Sequence, residues 1–205
     1  MAEGNAARNF RKGDYERADG EFYVEPAWTV HALAQAIDFS DDVVWDPCCG
    51  SGTIPKVMSG YAKGVLASDI FDRGYPPAVC ADFLTAYDPA PFHSRMSIVM
   101  NPPFRQAEAF VRHALSLIDR RLAVIQQLSF LASKARHSLF TEFPPSDVLI
   151  LSRRPSMPPG HRIEEMGDKA FRGGTTDFCW IVWTKSTPAR DTRVRWLNPT
   201  IGEAA

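Results

Sequence analysis

The sequence is short of cysteine and has no long apolar run, and both shortages exclude classes of protein. Four cysteines in 205 residues are too few for a disulfide scaffold, which favours a reducing, cytoplasmic setting. The mean hydropathy is −0.20, and no apolar stretch reaches the roughly 18 residues that a membrane span needs. Residues 1–20 lack the apolar core of a signal peptide. They are polar and are predicted to form a flexible N-terminal arm.

The sequence also lacks a metal-ligand pattern and a large excess of either charge. Cys48 and Cys49 are adjacent rather than spaced as zinc ligands are, and the five histidines show no ligand spacing, so no metal site is predicted. The net charge of −1 argues against a strongly basic coat for nucleic acid. Residues 102–175 nevertheless carry 11 Lys and Arg against 7 Asp and Glu. A polyanion would bind there, although a solvated surface shows such variation as well.

Strand-like and helix-like segments alternate along the chain. A hydrophobic share of 45% supports one domain over residues 21–205. The alternation indicates an α/β fold with a mostly parallel sheet and helices on both faces. The predicted strands are residues 43–45, 64–68, 79–80, 96–100, 122–125, 148–151 and 178–183, and the predicted helices are residues 27–37, 54–58, 107–118 and 130–139. Residues 152–176 are predicted to form a long basic loop, and loops of that length are commonly functional.

A glycine-containing turn, DPCCGSGT at residues 46–53, joins the first strand to a helix. Glycines there let the backbone come close to a ligand. A P-loop would need a Lys where Thr53 stands, and a dinucleotide fingerprint would need a third glycine where Pro55 stands. The turn therefore favours a ligand whose end at this loop is not a phosphate. Asp46 suits a cationic group at that position.

Two further strands end in acidic residues. Asp69 closes the second strand, where a carboxylate can accept hydrogen bonds from a ribose diol. Asp82 and Phe83 follow the third strand, and an acid with an aromatic ring can bind and stack on an adenine. A solvated Asp next to a core Phe would give the same sequence pattern.

The tetrapeptide NPPF, residues 101–104, follows the fourth strand. Two prolines make a rigid, extended corner with few backbone donors. The Asn101 amide oxygen and the neighbouring carbonyls then form a cluster of hydrogen-bond acceptors, which suits an NH₂ group. Phe104 offers a flat face on which a ring can stack. A strand that ends in an ordinary proline turn is the simpler alternative.

Together these segments resemble class I S-adenosylmethionine-dependent methyltransferases. DPCCGSGT, Asp69 and NPPF are similar to the amino-methyltransferases that modify the exocyclic amine of adenine, which carry Asp/Asn-Pro-Pro-Tyr/Phe/Trp after the fourth strand. Residues 22–26 resemble the family segment that folds over the cofactor, with Glu25 as a departure from its commonest form. The resemblance spans residues 22–185. It implies a Rossmann-like, seven-stranded, mostly parallel sheet with an antiparallel last strand.

The resemblance implies S-adenosyl-L-methionine as the cofactor and assigns residues to it. Those expected at its methionine end are Asp46, Cys48, Gly50, Gly52 and Thr53. Those expected at its ribose and adenine, or covering it, are Asp69, Ile70, Asp82, Phe83, Tyr23 and Pro26. The catalytic corner is Asn101, Pro102, Pro103 and Phe104, in which Asn101 and Pro102 accept the target amine, Phe104 stacks on the target ring, and Asn101 also contacts the cofactor.

The expected substrate is adenine in nucleic acid, DNA in preference to RNA. Residues 82–101 leave no room for a separate target-recognition domain, so residues 21–205 are predicted to be a catalytic domain alone, to which a partner subunit could add target recognition. The basic loop is the candidate nucleic-acid contact, together with a glycine pair that resembles the family's late base-holding loop. Its residues are Arg153, Arg154, Arg162, Lys169, Arg172, Gly173 and Gly174.

Other functions stay open at this stage. RNA adenine or a protein glutamine amide presents the same planar NH₂ group, although the protein-modifying relatives usually carry Tyr where Phe104 stands. A non-catalytic, cofactor-binding subunit is a second class of function, which the intact NPPF disfavours. A nucleotide-dependent dehydrogenase is a third, which the missing glycine disfavours.

Overall fold

A computed structural model describes residues 21–85, 95–185 and 191–201. The N-terminal arm predicted for residues 1–20 lies outside the described residues. The helices are α1 (Ala27–Ala36), α2 (Thr53–Met58), α3 (Ala107–Leu117), α4 (His137–Glu142) and α5 (Ile163–Met166). The strands are β1 (Val43–Asp46), β2 (Gly64–Asp69), β3 (Val79–Cys80), β4 (Met96–Met100), β5 (Arg121–Gln127), β6 (Asp147–Leu151), β7 (Phe178–Thr184) and β8 (Arg193–Leu197).

The strands form one mostly parallel sheet in the order β3-β2-β1-β4-β5-β7-β6-β8. The predicted α/β class is confirmed, and β7 is antiparallel to both β5 and β6 as expected of the strand at 178–183. In the part of the chain that the structure describes, the sheet has eight strands rather than seven, because β8 adds to its edge in parallel with β6. Most of β8 is exposed and only Leu197 is buried, so it carries no apolar run that would mark it in the sequence.

Both faces of the sheet are covered by helices. On one face, Phe110 and Val111 of α3 pack with Ile98 and Leu122 of the central strands. On the other face, Leu33 of α1 and Met58 of α2 pack with Val99 and Trp180 of the strands. The buried positions of α3 recur at helical spacing, and the strands alternate between the two cores because successive side chains point to opposite faces.

Two connections differ from their prediction. Residues 130–139 are not one helix, because the chain is extended at Ser133 between two 3₁₀ turns, and α4 begins only at His137. The predicted loop at 152–176 contains α5, flanked by 3₁₀ turns at Gly160–Arg162 and Gly167–Lys169. No helix of the described part has the length and apolar character to cross a membrane.

The strand order reverses between β1 and β4, which are hydrogen-bonded neighbours. In open α/β sheets, such a reversal leaves a crevice beyond the carboxyl ends of the strands. β1 ends at Asp46 and β4 is followed by Asn101. The fold therefore brings the glycine turn and the NPPF corner to one crevice.

Candidate active site

A cavity of about 580 Å³ opens at the carboxyl ends of β1, β2 and β4. Its wall comes from five segments, at residues 21–25, 47–53, 69–73, 82–84 and 101–110. The predicted site residues that line it are Tyr23, Cys48, Gly50, Thr53, Asp69, Ile70, Asp82, Phe83, Asn101 and Pro103. Residues from four predicted strand ends and the N-terminal segment thus meet around one space, of a volume typical for small-molecule sites.

Five predicted site residues lie next to this cavity rather than on its wall: Pro26, Asp46, Gly52, Pro102 and Phe104. Pro26 precedes α1, and its carbonyl accepts hydrogen bonds from Thr29. Asp46 is buried, and one of its oxygens accepts from the Cys48 N–H at 3.2 Å. The Phe104 ring lies 5.9 Å from that of Tyr23, centre to centre.

The glycine turn needs glycine at two positions. Gly50 and Gly52 have φ angles of +51° and +84°, in the left-handed region that favours glycine. A Cβ on Gly50 would lie 2.5 Å from Cε2 of Phe22, and one on Gly52 would overlap the ring of Tyr75. The turn therefore holds the backbone close to both rings, and α2 begins directly after it.

Asp69 fastens the glycine turn to the end of β2. Its Oδ2 accepts a 2.9 Å hydrogen bond from the Gly50 N–H, and its Oδ1 accepts a 3.0 Å bond from the Phe71 N–H. The Cys49 N–H donates to the Ser68 carbonyl at 3.0 Å. Asp69 still lines the cavity, so its carboxylate both fixes the two loops and faces the ligand space.

Acidic side chains surround the inner end of the cavity. Burial raises the pKa of Glu25 to about 7, against hydrogen bonds that lower it. Burial and the nearby Glu25 carboxyl raise the pKa of Asp46 well above its ordinary value. Burial and the carboxylates of Asp46 and Asp69 also raise the pKa of the Cys48 thiol, which therefore stays protonated and is a poor nucleophile. The acidic surroundings favour a cationic ligand.

The Asn101 side chain is held in one orientation. Its Nδ2 donates to the Tyr23 carbonyl at 2.9 Å and to Oε2 of Glu25 at 2.8 Å. No described residue donates to its Oδ1, although this oxygen is buried. Buried acceptors normally have a partner. Oδ1 is thus an unused acceptor on a residue that lines the cavity.

The aromatic part of the wall differs from its prediction in detail. Phe83 is only 2% exposed and packs on Trp45, Phe110 and His113, so it is mainly a core residue that reaches the cavity wall. Ile70 is 52% exposed. An adenine would find the Ile70 side chain, directly after β2, more accessible than the Phe83 ring.

Phe22, Phe71 and Arg73 line the cavity without having been predicted. The Arg73 guanidinium carbon lies 4.6 Å from the ring centre of Phe22 and 4.7 Å from that of Phe71, a cation–π arrangement. Phe22 and Phe71 are sequence neighbours of Tyr23 and Ile70, and aromatic residues beside predicted contacts were the available signal. No sequence pattern indicated Arg73, because its place at the cavity depends on how the loop after β2 folds back.

The basic segment 152–176 carries fewer available charges than its sequence suggests. Arg154 pairs with Asp177 at 2.6 Å and Arg162 with Glu165 at 3.2 Å, whereas the Arg153 guanidinium lies 4.1 Å from the ring centre of Trp28. Lys169 and Arg172 are exposed. Nucleic-acid contact by this segment stays a prediction.

The same segment is fastened to the predicted cofactor cover. The Val24 N–H donates to the Pro158 carbonyl at 3.0 Å, and the Gly160 N–H donates to the Phe22 carbonyl at 2.9 Å. Gly173 has a φ of +74°, and a Cβ on Gly174 would overlap the carbonyls of Arg154 and Pro155. Residues 158–160 of this segment therefore lie against the residues that form one side of the cavity. The described residues include no group of three or more His, Cys, Asp or Glu arranged to hold a metal ion.

The fold is similar to that of solved methyltransferase structures. A type I restriction-modification methyltransferase subunit from Streptococcus thermophilus superposes with a TM-score of 0.62 at 16% identity, over 88% of this chain and 48% of that one. The 23S rRNA methyltransferase ErmE gives 0.55 at 17% identity, over 83% and 72% of the two chains. A putative RNA methyltransferase from Pyrococcus horikoshii gives 0.56 at 14% identity, over 84% and 90%.

At these low sequence identities, the superpositions show a shared fold. The chain spans about half the length of the restriction-modification subunit. No protein-family model matches the sequence, and no curated protein matches it.

Proposed function

We propose that this protein transfers a methyl group from S-adenosyl-L-methionine to the exocyclic N6 amine of adenine in nucleic acid, most favourably DNA. The buried, unpartnered Oδ1 of Asn101 carries the proposal. An acceptor fixed at the end of β4, beside an acidic cavity, suits a planar NH₂ group brought next to a cationic methyl donor. The structural neighbours support methyl transfer, because they share this fold and are themselves named as methyltransferases.

The cavity residues fit the cofactor. Its positive sulfonium and ammonium groups match the acidic inner end formed by Glu25, Asp46 and Asp69. The Gly50 backbone and the Asp69 carboxylate form the base of the cavity, and Asp82 lies farther along its wall. When bound, the cofactor supplies an electrophilic methyl carbon. Phe22 and Tyr23, in the segment over the glycine turn, would cover it.

The protein's own contribution would be positioning and charge stabilisation. Asn101 Oδ1 would accept one hydrogen of the target amine, and the Pro102 carbonyl would accept the other. Both acceptors favour a more tetrahedral, more nucleophilic nitrogen, and they stabilise the positive charge that develops on it. The excess proton can leave the methylated amine after transfer, so no strong base is required beforehand. In a duplex the base would have to be flipped out.

The polymer that carries the adenine is inferred from the exposed cations and from the structural neighbours. Lys169 and Arg172 are exposed on the segment that is hydrogen-bonded to residues 22–24 through residues 158–160, which suits phosphate contacts. The neighbours include a restriction-modification subunit and an rRNA methyltransferase, so both DNA and RNA are represented among them. We favour DNA, with a partner subunit adding target recognition to this single catalytic domain. The four free cysteines fit a reducing, cytoplasmic setting.

The deciding experiment supplies labelled cofactor with DNA, RNA and protein pools, and digests the labelled polymer to nucleosides or amino acids. Label in N6-methyladenine of DNA is expected. Label in RNA adenine or in protein glutamine would show that a different substrate accepts the methyl group by the same chemistry. Cofactor binding with no transfer to any pool would indicate a cofactor-binding subunit instead.

The matched variant is Asn101→Ala. We expect turnover to fall about 100-fold or more, because one preorganised transition-state contact is lost, while the affinity for S-adenosylhomocysteine changes little. Asn198→Ala is the control, since Asn198 bonds only Thr200 among the described residues. Unchanged turnover in Asn101→Ala would refute the role of the amide.

A further inference from the structure

We propose that Glu25 is a positioning residue that holds the Asn101 amide in the orientation from which its oxygen accepts the substrate amine. The inference rests on the proposed function and goes beyond it, because it assigns a role to the position where the cofactor-cover segment departs from its commonest form. Glu25 lies 76 residues before Asn101 in the chain.

The contacts around the Asn101 amide distinguish its nitrogen from its oxygen. Both N–H bonds of Asn101 are used, one by the Tyr23 carbonyl and one by Oε2 of Glu25. Turning the amide by half a rotation would direct its oxygen at these two acceptors and would place its N–H bonds where the oxygen now lies. That state loses two hydrogen bonds and opposes acceptor to acceptor. The carboxyl of Glu25 therefore keeps the oxygen, rather than the NH₂, on the side of the amide away from Tyr23 and Glu25, and this free oxygen is the acceptor that the proposed function requires.

Glu25 is itself rigidly placed. It is 6% exposed and lies between Val24, which donates to Pro158, and Pro26, where α1 begins. The backbone carbonyl of Tyr23 satisfies only one of the two amide hydrogens. The second needs a side-chain acceptor of this reach, and Glu25 supplies it.

The protonation of Glu25 adds a measurable signature. The acidic groups coupled to it are Asp46 and, through Asp46, Asp69, with the protonated thiols of Cys48 and Cys49 nearby. A carboxylate accepts a stronger hydrogen bond than a carboxylic acid does. Since burial raises the pKa of Glu25 to about 7, turnover should rise with pH through that region as the amide becomes more firmly held.

The test compares Glu25→Met, which keeps length but removes the acceptor, with Glu25→Gln, which keeps a carbonyl acceptor but no charge. We expect kcat for Glu25→Met to fall about 100-fold relative to Glu25→Gln, as for a misplaced reacting group. Both variants remove the carboxyl charge, so any change in S-adenosylhomocysteine affinity should be the same in the two. Glu25→Gln should recover most of kcat and lose the pH-dependent rise. In an Asn101→Ala background, Glu25→Met should have almost no further effect, since the group it positions is gone.

A second readout does not depend on activity. The side-chain NH₂ of Asn101, observed by ¹⁵N NMR, should exchange slowly with solvent in the wild type and in Glu25→Gln, and faster in Glu25→Met. Equal exchange in all three proteins, undiminished kcat in Glu25→Met, or additive effects with Asn101→Ala would overturn the positioning role. A wild type that methylates no polymer would refute the proposed function, while NMR exchange would still decide the role of Glu25.

Discussion

The carboxylate of Asp69 and the backbone N–H of Gly50 are joined by a 2.9 Å hydrogen bond across 19 residues of sequence. The bond connects the end of β2 to the glycine turn after β1. The other oxygen of Asp69 accepts from the Phe71 N–H. One side chain thus sets the shape of two loops that form the cavity wall.

Replacing Asp69 with Asn should weaken cofactor binding. The Asn side chain has one oxygen, so it can accept from the Gly50 N–H or from the Phe71 N–H but not from both. The other backbone N–H is then left facing the NH₂ group of the Asn. We expect at least a tenfold loss of S-adenosylhomocysteine affinity by calorimetry, on the order of one lost charge-assisted hydrogen bond. Asp72→Asn is the control, because Asp72 makes a similar bond to the Gly74 N–H at an exposed position. Equal losses in the two variants would contradict a specific role for Asp69.

Gly50→Ala should damage the same turn by a different route. Its φ of +51° disfavours any side chain, and the added Cβ would lie 2.5 Å from the Phe22 ring. We expect a lower melting temperature and at least tenfold weaker S-adenosylhomocysteine binding. Gly173→Ala is the matched control, since its φ is +74° but the space around it is open.

A second substitution separates the two effects. Phe22→Ala in the Gly50→Ala background should recover part of the lost stability, because the clash is removed and only the backbone cost remains. If Gly173→Ala lowered the melting temperature as much as Gly50→Ala, the contact with Phe22 would have no part in the effect.

The buried carboxyl of Glu25 should make stability depend on pH. In the unfolded chain it ionises near its ordinary pKa of 4.5, whereas in the folded protein its pKa is about 7. Between these values the folded state binds more protons, so the free energy of unfolding falls as the pH rises and then levels. Glu25→Gln removes this loss and should be more stable than the wild type at about pH 8, by up to ~3 kcal/mol, with the difference much smaller near about pH 5.

Urea unfolding across this pH range measures the effect. Glu165→Gln is a control of opposite sign, because hydrogen bonds with Arg162 lower the pKa of the exposed Glu165. Its contribution is present above the ordinary pKa and is lost as the pH falls. A wild type and Glu25→Gln with parallel pH profiles would contradict a raised pKa at Glu25.

The exposed cations of the basic segment should contribute salt-dependent binding. Replacing Lys169 and Arg172 with Gln should weaken DNA binding about equally for all sequences, and should lower the slope of log affinity against log salt by about 1 for each lost phosphate contact. Lys63→Gln is the control, since Lys63 is exposed near the opposite, amino end of β2. Fluorescence anisotropy with a labelled oligonucleotide measures both quantities. Unaltered slopes would place the nucleic acid elsewhere.

Much of the fold follows from patterns that are local in sequence. The buried run at Met96–Met100 and the helical spacing of Ala107, Phe110 and Val111 were readable, because each reports a single element. The chemistry-bearing residues Asp69 and Asn101 stand at strand ends, and parallel strands end at one edge. β8 was missed because its five residues, RVRWL, alternate basic and apolar side chains and lack the continuous apolar run that marks the other strands.

The sequence by itself thus determined the α/β class and brought the glycine turn, Asp69 and the NPPF corner to one edge of the sheet. Only the tertiary structure decided that Glu25 holds the Asn101 amide, that Arg73 lies over Phe22, and that Arg154 and Arg162 are engaged by carboxylates. Strand order and spacing are written along the chain, since they depend on local hydrophobic pattern. Which side chains meet across 76 residues depends on how the loops pack against each other, and no local pattern records that.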